Sequence, residues 1–489
     1  MEYRPTIGLE IHIELNTKSK MFCGCKNDSE EKNPNTNVCP VCTAQPGTLP
    51  VINEEALKKV IKTGLALNCQ IPEYSKFDRK NYFYPDLPKG YQISQLYNPL
   101  CKNGYLELKE TEFPLGNSVS KRIRIREVHL EEDTGKLIHP ESEDFSLVDF
   151  NRAGVPLMEL VTEPDITSAS QAKKFAEELH LIMHYLDVSD ADMEKGEMRV
   201  EVNISLSGDN KLGTKTEIKN LNSFRSVERA VDYEIKRQSD LLDKGEKIIQ
   251  ETRGWLDEAT ASSHRVAGAR VDDTKGMTFS QRKKEQAHDY RYFPEPDLPP
   301  LKHSKEFINE IRAEIPELPA HRRERFKREY ELDEKSAEIF VYNKKLGEYF
   351  EKVAKELPLN LVKLASDFLI NTETRDYNIP PKNFSQLIIL IKNKKISNAV
   401  AKEILPELVS FNPSELIKKR GLEQVSDEKE IEKIAREVIS QNQKVVEDYK
   451  KGKTNALQFL TGQIMAKTQG KANPQIVNAL LKDILTKTK

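Results

Sequence analysis

The chain has 489 residues, which is too long for one compact hydrophobic core and predicts two to four domains. Its 76 Lys and Arg residues nearly balance its 78 Asp and Glu residues, so net charge alone indicates no nucleic-acid partner. The N-terminus lacks the layout of a signal peptide, and no apolar run reaches the roughly 18 to 20 residues that span a bilayer, so we expect a soluble cytoplasmic protein without a membrane partner.

The first predicted element is a strand with two different faces. Apolar side chains alternate from Ile7 to Leu15, which places Glu10, His12 and Glu14 together on the other face. Carboxylates and an imidazole at this spacing suit a divalent cation that also binds phosphate. The same alternation is typical of the solvated face of an antiparallel sheet, so this strand alone leaves both interpretations open.

Four of the six cysteines follow within residues 23–42. The spacing Cys23-x-Cys25 and Cys39-x-x-Cys42 is typical of tetrahedral structural zinc, and in a long cytosolic chain it favours metal over disulfides. Redox-active or unpaired thiols are the alternative. We predict that these four thiolates bind a Zn²⁺ ion that fixes a loop near the first strand.

Residues 76–95 mix basic and aromatic side chains. Arg79, Lys80 and Lys89 are interleaved with Tyr82 and further aromatic residues. Such a mixture suits phosphate binding and the stacking of a base. An ordinary aromatic-lined turn explains the same pattern about as well.

Later predicted strands offer more carboxylates. Alternation places Glu201 on a polar face, and it places Glu217 between two lysines. Near residues 123–133 the apolar phase slips by one residue, which predicts a bulge that redirects an acidic end. If these faces converge, the acids would repel one another without a cation between them, so convergence would favour bound metal.

A proline-rich segment predicts a domain boundary near residue 295, since Pro294–Pro300 holds four prolines in seven positions. The strand-rich sequence before it predicts an α+β catalytic body at 1–295, and helical spacing after it predicts a helical domain at 296–410. A second break predicts a small helical tail domain at 411–489. Phosphate-loop and dinucleotide-binding motifs are absent, so a nucleotide would bind by another route.

These segments resemble one family over essentially the whole chain: the B subunit of aspartyl/glutamyl-tRNA(Asn/Gln) amidotransferase, GatB. The resemblance rests on ordered motifs that include IGLEIHIEL at 7–15, HLEEDTGK at 129–136, GTKTEIKNLNSF at 213–224, HDYRYFPEPDLPPL at 288–301 and LTGQIMAKTQGKANPQ at 460–475. It implies that the catalytic body is an antiparallel-sheet cradle. The stretch from Gly254 to Arg282 is longer than we expect of the family, and we predict a surface loop there.

The resemblance implies a heterotrimeric enzyme. An A subunit would release ammonia from glutamine, and a small C subunit would brace the A and B subunits. The B subunit would use ATP and Mg²⁺ to phosphorylate the side-chain carboxylate of Glu-tRNA(Gln) or Asp-tRNA(Asn) before amidation. A non-catalytic tRNA-binding scaffold and a stand-alone metal-dependent phosphohydrolase are the alternatives.

The resemblance also assigns roles to individual residues. It implies that His12, Glu132 and Glu159 bind Mg²⁺. The catalytic pocket would comprise Glu10, His12, Glu132, Glu201 and Glu217. Together with the basic and aromatic pattern, it favours nucleotide binding by Arg79, Lys80, Tyr82 and Lys89.

The tail from Gln441 to Lys489 is locally basic. It holds nine lysines against three acids, a net charge of +6. Such a patch suits a nucleic-acid backbone, although a solvated helical face explains the same lysines. The resemblance, in which the tail contacts tRNA, favours tRNA binding by Lys450, Lys451, Lys453, Lys467 and Lys471.

Overall fold

The fold is taken from a computed structural model of the protein. It describes residues 3–112, 117–140, 143–209, 211–257, 276–283, 289–372, 378–422, 428–450, 453, 455–468, 472 and 474–487. The chain divides into two compact units, Met1–Leu318 and Pro319–Lys489. Strands dominate the first unit and helices the second, which confirms the predicted α+β class. The middle of the predicted surface loop, residues 258–275, lies outside the described residues.

The first unit combines strands with a few helices. Its strands are β1 (Arg4–Glu14), β2 (Tyr74–Ser75), β3 (Asp78–Asn81), β4 (Tyr91–Ser94), β5 (Cys101–Glu112), β6 (Asn117–Glu132), β7 (Lys136–Ile138), β8 (Leu147–Asp149), β9 (Pro156–Thr162), β10 (Met198–Ser207), β11 (Thr216–Leu221), β12 (Glu251–Leu256), β13 (Met277–Lys283), β14 (Phe293–Pro294) and β15 (Leu301–Lys302). Its described helices are α1 (Glu54–Ala66), α2 (Ala169–Leu186), α3 (Phe224–Asp243) and α4 (Lys305–Ala313).

Eight strands form the central sheet, in the order β13-β12-β11-β10-β1-β9-β6-β5. Neighbours run antiparallel except β11 and β12, which are parallel. Smaller sheets join β14, β3 and β4, β15 with β2, and β7 with β8. The first strand in sequence therefore lies in the middle of the sheet, between β10 and β9.

The two faces of the central sheet differ in chemistry. Ile7, Leu9 and Ile11 of β1 are at most 1% exposed and share one hydrophobic core with α1, α2 and α3. Each of these helices is preceded by a capping residue, whose side chain accepts hydrogen bonds from backbone N–H groups of the first turn. The capping residues are Asn53, Ser168 and Ser223. Because side chains alternate along a strand, covering the apolar face with helices leaves the polar residues on the other face.

The first unit extends past the predicted boundary at residue 295. After the prolines, β15 pairs with β2, and α4 packs on α1 with Ile311 buried in the same core. These contacts bury apolar surface within the first unit. The prolines therefore stiffen a connection inside this unit, and the change of unit follows Leu318.

The second unit is helical throughout its described residues. Its helices are α5 (Pro319–Tyr330), α6 (Glu334–Tyr342), α7 (Lys344–Ala354), α8 (Leu359–Ile370), α9 (Pro381–Lys392), α10 (Asn398–Ile404), a 3₁₀ turn (Leu405–Val409), α11 (Pro413–Arg420), α12 (Glu428–Gln441), α13 (Gln443–Lys450), α14 (Asn455–Lys467) and α15 (Pro474–Lys487). Beyond the predicted break near 410, α11 still packs on α9. A separate core gathers Ile431, Leu460 and Leu481 from the later helices. No helix that the structure describes is long and apolar enough to cross a membrane.

Candidate active site and metal centres

The polar face of the central sheet carries acids and imidazoles in cross-strand register. His12 on β1 lies directly opposite Glu159 on β9, and Glu159 lies opposite His129 on β6. Two residues before His12 on β1, Glu10 lies opposite Glu201 on β10. Four neighbouring strands thus bring these residues into one patch, which we call the acidic patch.

The potential metal ligands of the acidic patch form two groups. Ligand atoms of Glu10, His12 and Glu159 lie within 4.8 Å of one another, and so do those of His129, Glu131 and Glu159. In the first group, Nε2 of His12 is 3.4 Å from Oε2 of Glu159. A charge-assisted hydrogen bond is shorter, about 2.7 to 2.9 Å. The observed distance is longer than that and leaves both atoms within reach of one shared cation.

The charges of the acidic patch also fit a cation. Burial and the neighbouring carboxylate of Glu159 raise the pKa of Glu10 to about 7. Burial would raise the pKa of Glu159 as well, but the imidazoles of His129 and His12 hold it well below its usual range. Burial disfavours a charged His129, yet Glu159 and Glu131 outweigh this and raise its pKa to about 10. The carboxylates therefore stabilise positive charge at this position. A bound metal ion would supply such charge.

Glu132 lies apart from the acidic patch, contrary to its predicted role as a Mg²⁺ ligand beside His12 and Glu159. Alternation along β6 places His129 and Glu131 on the polar face and directs Glu132 to the other. The Glu132 carboxylate accepts hydrogen bonds from Nζ of Lys89 and, at 3.0 Å, from the backbone N–H of Ile93. The position expected of Glu132 is occupied by Glu131.

His129 and Glu131 were missed by sequence reasoning, although a signal for them was present. Both alternate with Val128 and Leu130, which are fully buried in the core. The same period-two argument that selected Glu10 and His12 would have selected them. Earlier in β6 the alternation of apolar and polar residues shifts by one position, and this shift obscured the pattern at His129 and Glu131.

Glu201 and Glu217 lie at the edge of the patch, on β10 and β11. Nζ of Lys219 is 2.7 Å from Oε2 of Glu201 and 3.8 Å from Oε1 of Glu217. The hydroxyl of Thr252 also donates a hydrogen bond of 2.6 Å to Glu217. Their charge is thus partly neutralised by protein groups, so they suit the rim of a metal site better than its centre.

Two of the four predicted nucleotide-binding residues lie beside the acidic patch. Burial disfavours the charged form of Lys80, but the carboxylates of Glu131 and Glu159 outweigh burial and raise its pKa. The Lys80 ammonium lies 5.4 Å from the ring centroid of Tyr290, and that ring contacts Tyr82 edge-on at 6.0 Å. A cation and an aromatic wall thus adjoin the carboxylates.

The other two residues of that predicted set are engaged elsewhere. Arg79 forms a bidentate ion pair with the buried carboxylate of Glu295, at 2.7 and 2.9 Å. Lys89 pairs with Glu132 at the wall of a cavity of about 250 Å³ that Cys23 also lines. Arg79 and Lys89 therefore contact different groups from those that Lys80 and Tyr82 contact.

The four predicted zinc ligands converge. The sulfur atoms of Cys23, Cys25, Cys39 and Cys42 lie within 4.8 Å of one another. A hydrogen bond from the Cys23 thiol lowers the pKa of Cys42 to about 5, which favours a thiolate. The backbone N–H of Cys39 donates to the same sulfur at 3.0 Å. Four sulfur donors at this spacing fit a closed tetrahedral site, so the chain has a candidate structural metal centre.

A buried lysine supports the cysteine loop. Lys20 is fully buried, and its ammonium donates hydrogen bonds to the carbonyl oxygens of Asn37 at 2.6 Å, Ala153 at 2.8 Å and Phe150 at 3.3 Å. These carbonyls belong to the cysteine loop and to the turn that precedes β9. The lysine thus ties the metal loop to the strand that carries Glu159.

The tail lysines are only partly described. Lys453 pairs with Asp448 at 3.0 Å, and Lys467 pairs with Glu437. Lys451 and Lys471 lie outside the described residues, as does the side chain of Lys450. Surface pairs of this kind contribute only about 0 to 1 kcal/mol, so phosphates can replace the acids at low cost.

Comparison with known proteins gives full-length matches. Residues 5–309 match the family described as the GatB/GatE catalytic domain, and residues 348–485 match the GatB domain. The B subunit of the aspartyl/glutamyl-tRNA(Asn/Gln) amidotransferase from Caldicellulosiruptor bescii is 46% identical, with 100% of both chains covered. The Thermotoga maritima protein of the same name is 46% identical over 99% of each chain. That of Persephonella marina is 47% identical over 99% of this chain and 100% of its own.

Proposed function

Since this chain belongs to the family of aspartyl/glutamyl-tRNA(Asn/Gln) amidotransferase B subunits, we propose that its acidic patch is the place where ATP activates a tRNA-linked carboxylate. As the B subunit of a tRNA amidotransferase, the chain is part of a multisubunit enzyme. The partners in this proposal are a glutaminase A subunit and a small C subunit. The proposed substrates are aminoacyl-tRNAs of the translation machinery, and the proposed location is the cytoplasm.

The proposed reaction has two steps. A side-chain carboxylate oxygen of Glu-tRNA(Gln) or Asp-tRNA(Asn) attacks the γ-phosphorus of ATP, and ADP leaves with the electrons of the broken P–O bond. Ammonia from the A subunit then attacks the acyl carbon, and inorganic phosphate leaves. The products are Gln-tRNA(Gln) or Asn-tRNA(Asn), ADP and phosphate.

The acidic patch would serve the first step. Glu10, His12 and Glu159 would hold Mg²⁺, with Glu201 and Glu217 at the rim of the pocket. A Mg²⁺ ion held there would supply positive charge that stabilises the charge developing on the transferred phosphoryl group. Glu132 is not part of this ligand set, because its carboxylate is committed to Lys89 and Ile93.

Lys80 and its aromatic neighbours would bind the nucleotide. The carboxylates of Glu131 and Glu159 stabilise its charged form, so the ammonium would attract phosphate oxygens beside the patch. The rings of Tyr82 and Tyr290 offer stacking surfaces for a base. Arg79 is already paired with Glu295, and its guanidinium carbon lies 4.2 Å from the ring centroid of Tyr91, so it would support the site without contacting the nucleotide.

Two further parts complete the proposal. A structural Zn²⁺ bound by the four cysteines would fix the loop next to β9. The tail lysines Lys450, Lys451, Lys453, Lys467 and Lys471 would contact the tRNA backbone. The observation that carries the whole proposal is the convergence of Glu10, His12 and Glu159 from two adjacent strands in a chain of this family.

A single assay separates this function from its alternatives. The assembled three-subunit enzyme is incubated with labelled ATP and Glu-tRNA(Gln), and ADP and Gln-tRNA(Gln) are measured. We expect Glu159→Gln to lower both products by at least about 100-fold, as loss of a main electrostatic group does. Glu228→Gln is the matched control, because Glu228 pairs with Lys173 between two helices.

The alternatives predict different results. A tRNA-binding scaffold would keep full amidation in Glu159→Gln. A stand-alone phosphohydrolase would release phosphate from ATP without tRNA and without the partner subunits. Either result would contradict the proposed function.

A further inference from the structure

Lys20 is a buried cation whose hydrogen-bond partners are neutral. The residue is fully buried, and no acid among the described residues pairs with its ammonium. The three groups that accept from the ammonium are backbone carbonyl oxygens, which carry only partial charges. A buried ammonium is normally paired with a full negative charge, because burial without one is costly. An anion close to Lys20 is therefore expected.

Lys20 contacts both halves of the cysteine loop. Its backbone N–H donates a hydrogen bond of 2.9 Å to the carbonyl oxygen of Cys25, in the first cysteine pair. Its ammonium donates a hydrogen bond of 2.6 Å to the carbonyl oxygen of Asn37, just before the second pair. One residue thus joins the two segments that carry the four sulfur atoms.

The side chain of Lys20 also lies close to Cys42. Both side chains pack beside Gly154, since a Cβ atom on that glycine would lie 3.6 Å from Cβ of Cys42 and 3.6 Å from Cδ of Lys20. The φ of Gly154 is +86°, a conformation that favours glycine, so this position carries no side chain. The pKa of Cys42 is lowered mainly by a hydrogen bond from Cys23, and the charge of Lys20 also lowers it. The lysine charge therefore acts on the cysteine cluster.

A zinc ion bound by four thiolates would leave the cluster negatively charged. The charge of four thiolates exceeds that of one Zn²⁺ ion by roughly two. Such a surplus is costly inside a protein unless hydrogen bonds or a cation offset it. Lys89 lies at the wall of the neighbouring cavity, but Glu132 already offsets its charge. Lys20 has no acidic partner among the described residues, so its charge remains to balance the thiolates.

We propose that Lys20 is the counter-charge of the zinc centre and that its ammonium makes the four-cysteine site retain zinc more tightly. The ammonium offsets about half of the surplus negative charge. In return, the thiolates supply the anion that the buried ammonium otherwise lacks. Lys20 is a positioning residue and not a ligand, because an ammonium has no lone pair to donate. The inference rests on the proposed zinc centre and is independent of the phosphorylation reaction.

The zinc affinity of the full chain tests the proposal. Wild type and variants compete for zinc with a chromogenic chelator in native buffer, without ATP, tRNA or partner subunits. We expect Lys20→Met to raise the Kd for zinc by about 10- to 100-fold, as loss of a group that supports metal ligands does. Lys20→Gln removes the charge but keeps a hydrogen-bonding side chain. It should give a similar rise, and it serves if Lys20→Met does not fold.

A matched control separates charge from stability. Leu179 is fully buried on α2, in the core of the first unit. Leu179→Ala therefore destabilises the same unit without removing a charge. Its Kd for zinc should equal that of the wild type.

A spectrum separates the charge of Lys20 from its hydrogen bonds. Co²⁺ replaces zinc in each chain, and the charge-transfer band from thiolate to metal is recorded. A nearby cation lowers the energy of the thiolate electrons. Its removal should therefore move the band to longer wavelength in Lys20→Met and Lys20→Gln, whereas Leu179→Ala should keep the wild-type band.

The proposal is wrong if the lysine variants keep the wild-type Kd, or if Leu179→Ala loses zinc to the same extent. An unshifted band in the lysine variants would also contradict it, because Lys20 would then act through hydrogen bonds alone. A wild-type chain that binds no zinc removes the zinc centre together with this inference. Zinc bound equally well by the wild type and the lysine variants removes this inference and leaves the zinc centre.

Discussion

The ammonium of Lys20 donates a hydrogen bond of 2.8 Å to the carbonyl oxygen of Ala153 inside the protein, and no acid among the described residues pairs with it. Two more carbonyls accept from the same group. Hydrogen bonds to charged groups contribute about 1.5 to 3 kcal/mol each, and a carbonyl left unpaired is costly. We therefore expect Lys20→Met to lower the free energy of unfolding by about 3 kcal/mol. Urea denaturation measures this, with Lys26→Met as the exposed control; equal midpoints for the two variants would contradict it.

The cysteine loop should depend on its metal. Cys42→Ser removes one of four sulfur ligands, so we expect the zinc content of the purified chain to fall from one ion to none. Protease cleavage within residues 23–42 should become faster for the same reason. Cys69→Ala is the control, since Cys69 lies apart from the cluster, in the core. Zinc retained by Cys42→Ser, measured by elemental analysis, would argue against a four-cysteine site.

Lys80 should matter for catalysis more than for tRNA affinity. The carboxylates of Glu131 and Glu159 stabilise its charged ammonium, which in the proposed function attracts the phosphates of ATP. Removing one preorganised charge of this kind lowers kcat by about 100-fold or more. We expect that loss for Lys80→Met, with an unchanged Kd for tRNA. Lys76→Met, four residues earlier in the chain, is the control; a loss confined to tRNA affinity would assign Lys80 to tRNA binding instead.

The tail lysines should contribute to the salt dependence of tRNA binding. Each phosphate contact adds about 0.7 to 0.9 to the slope of log K against log salt. Lys453→Gln combined with Lys467→Gln should therefore reduce the slope by up to about 2. Filter binding over a range of salt concentrations measures it, and Lys58→Gln in the first unit is the control. An unchanged slope would leave these two lysines in their ion pairs with Asp448 and Glu437.

His180 should make the first unit sensitive to acid. Burial, followed by repulsion from His184, lowers the pKa of His180 to about 4 from 6.5. The folded state thus binds this proton less readily than the unfolded state, so stability is full above pH 6.5 and is lost as pH falls towards 4. The loss is at most about 1.4 kcal/mol per pH unit, and less after solvent screening. His180→Phe should flatten this part of the profile of unfolding free energy against pH, and an unchanged slope would refute the assignment.

Backbone periodicity made one half of the acidic patch predictable. Side chains alternate strictly on an uninterrupted strand, so Glu10 and His12 could be placed on one face from their neighbours alone. Their partner on β9 required the family resemblance, because cross-strand register is a long-range property that spacing within a strand does not contain. The cysteine cluster was predictable for a different reason, since metal geometry restricts the spacing of its ligands.

The placement of His129 and Glu131, the other half of the acidic patch, depended on an irregularity in β6. The pairing of β6 with β9 shifts register between Ile125 and Glu127, at the bulge that the slip of phase predicted. The prediction of Glu132 came from the family resemblance, and because side chains alternate beyond the bulge, it lies on the opposite face from Glu131, one residue earlier. Burial of Val128 and Leu130 settles the phase, and burial is known only once the sheet is assembled.

The boundary after Leu318 has a practical meaning for dissecting the molecule. Truncation at the prolines would delete β15 and α4, leave β2 without its partner and uncover the side of α1 that packs on α4. Such a fragment would expose new apolar surface and an unpaired strand edge. Both features promote aggregation. A fragment that ends at Leu318 keeps the apolar surface of α1 and the edge of β2 covered. It should therefore remain monodisperse.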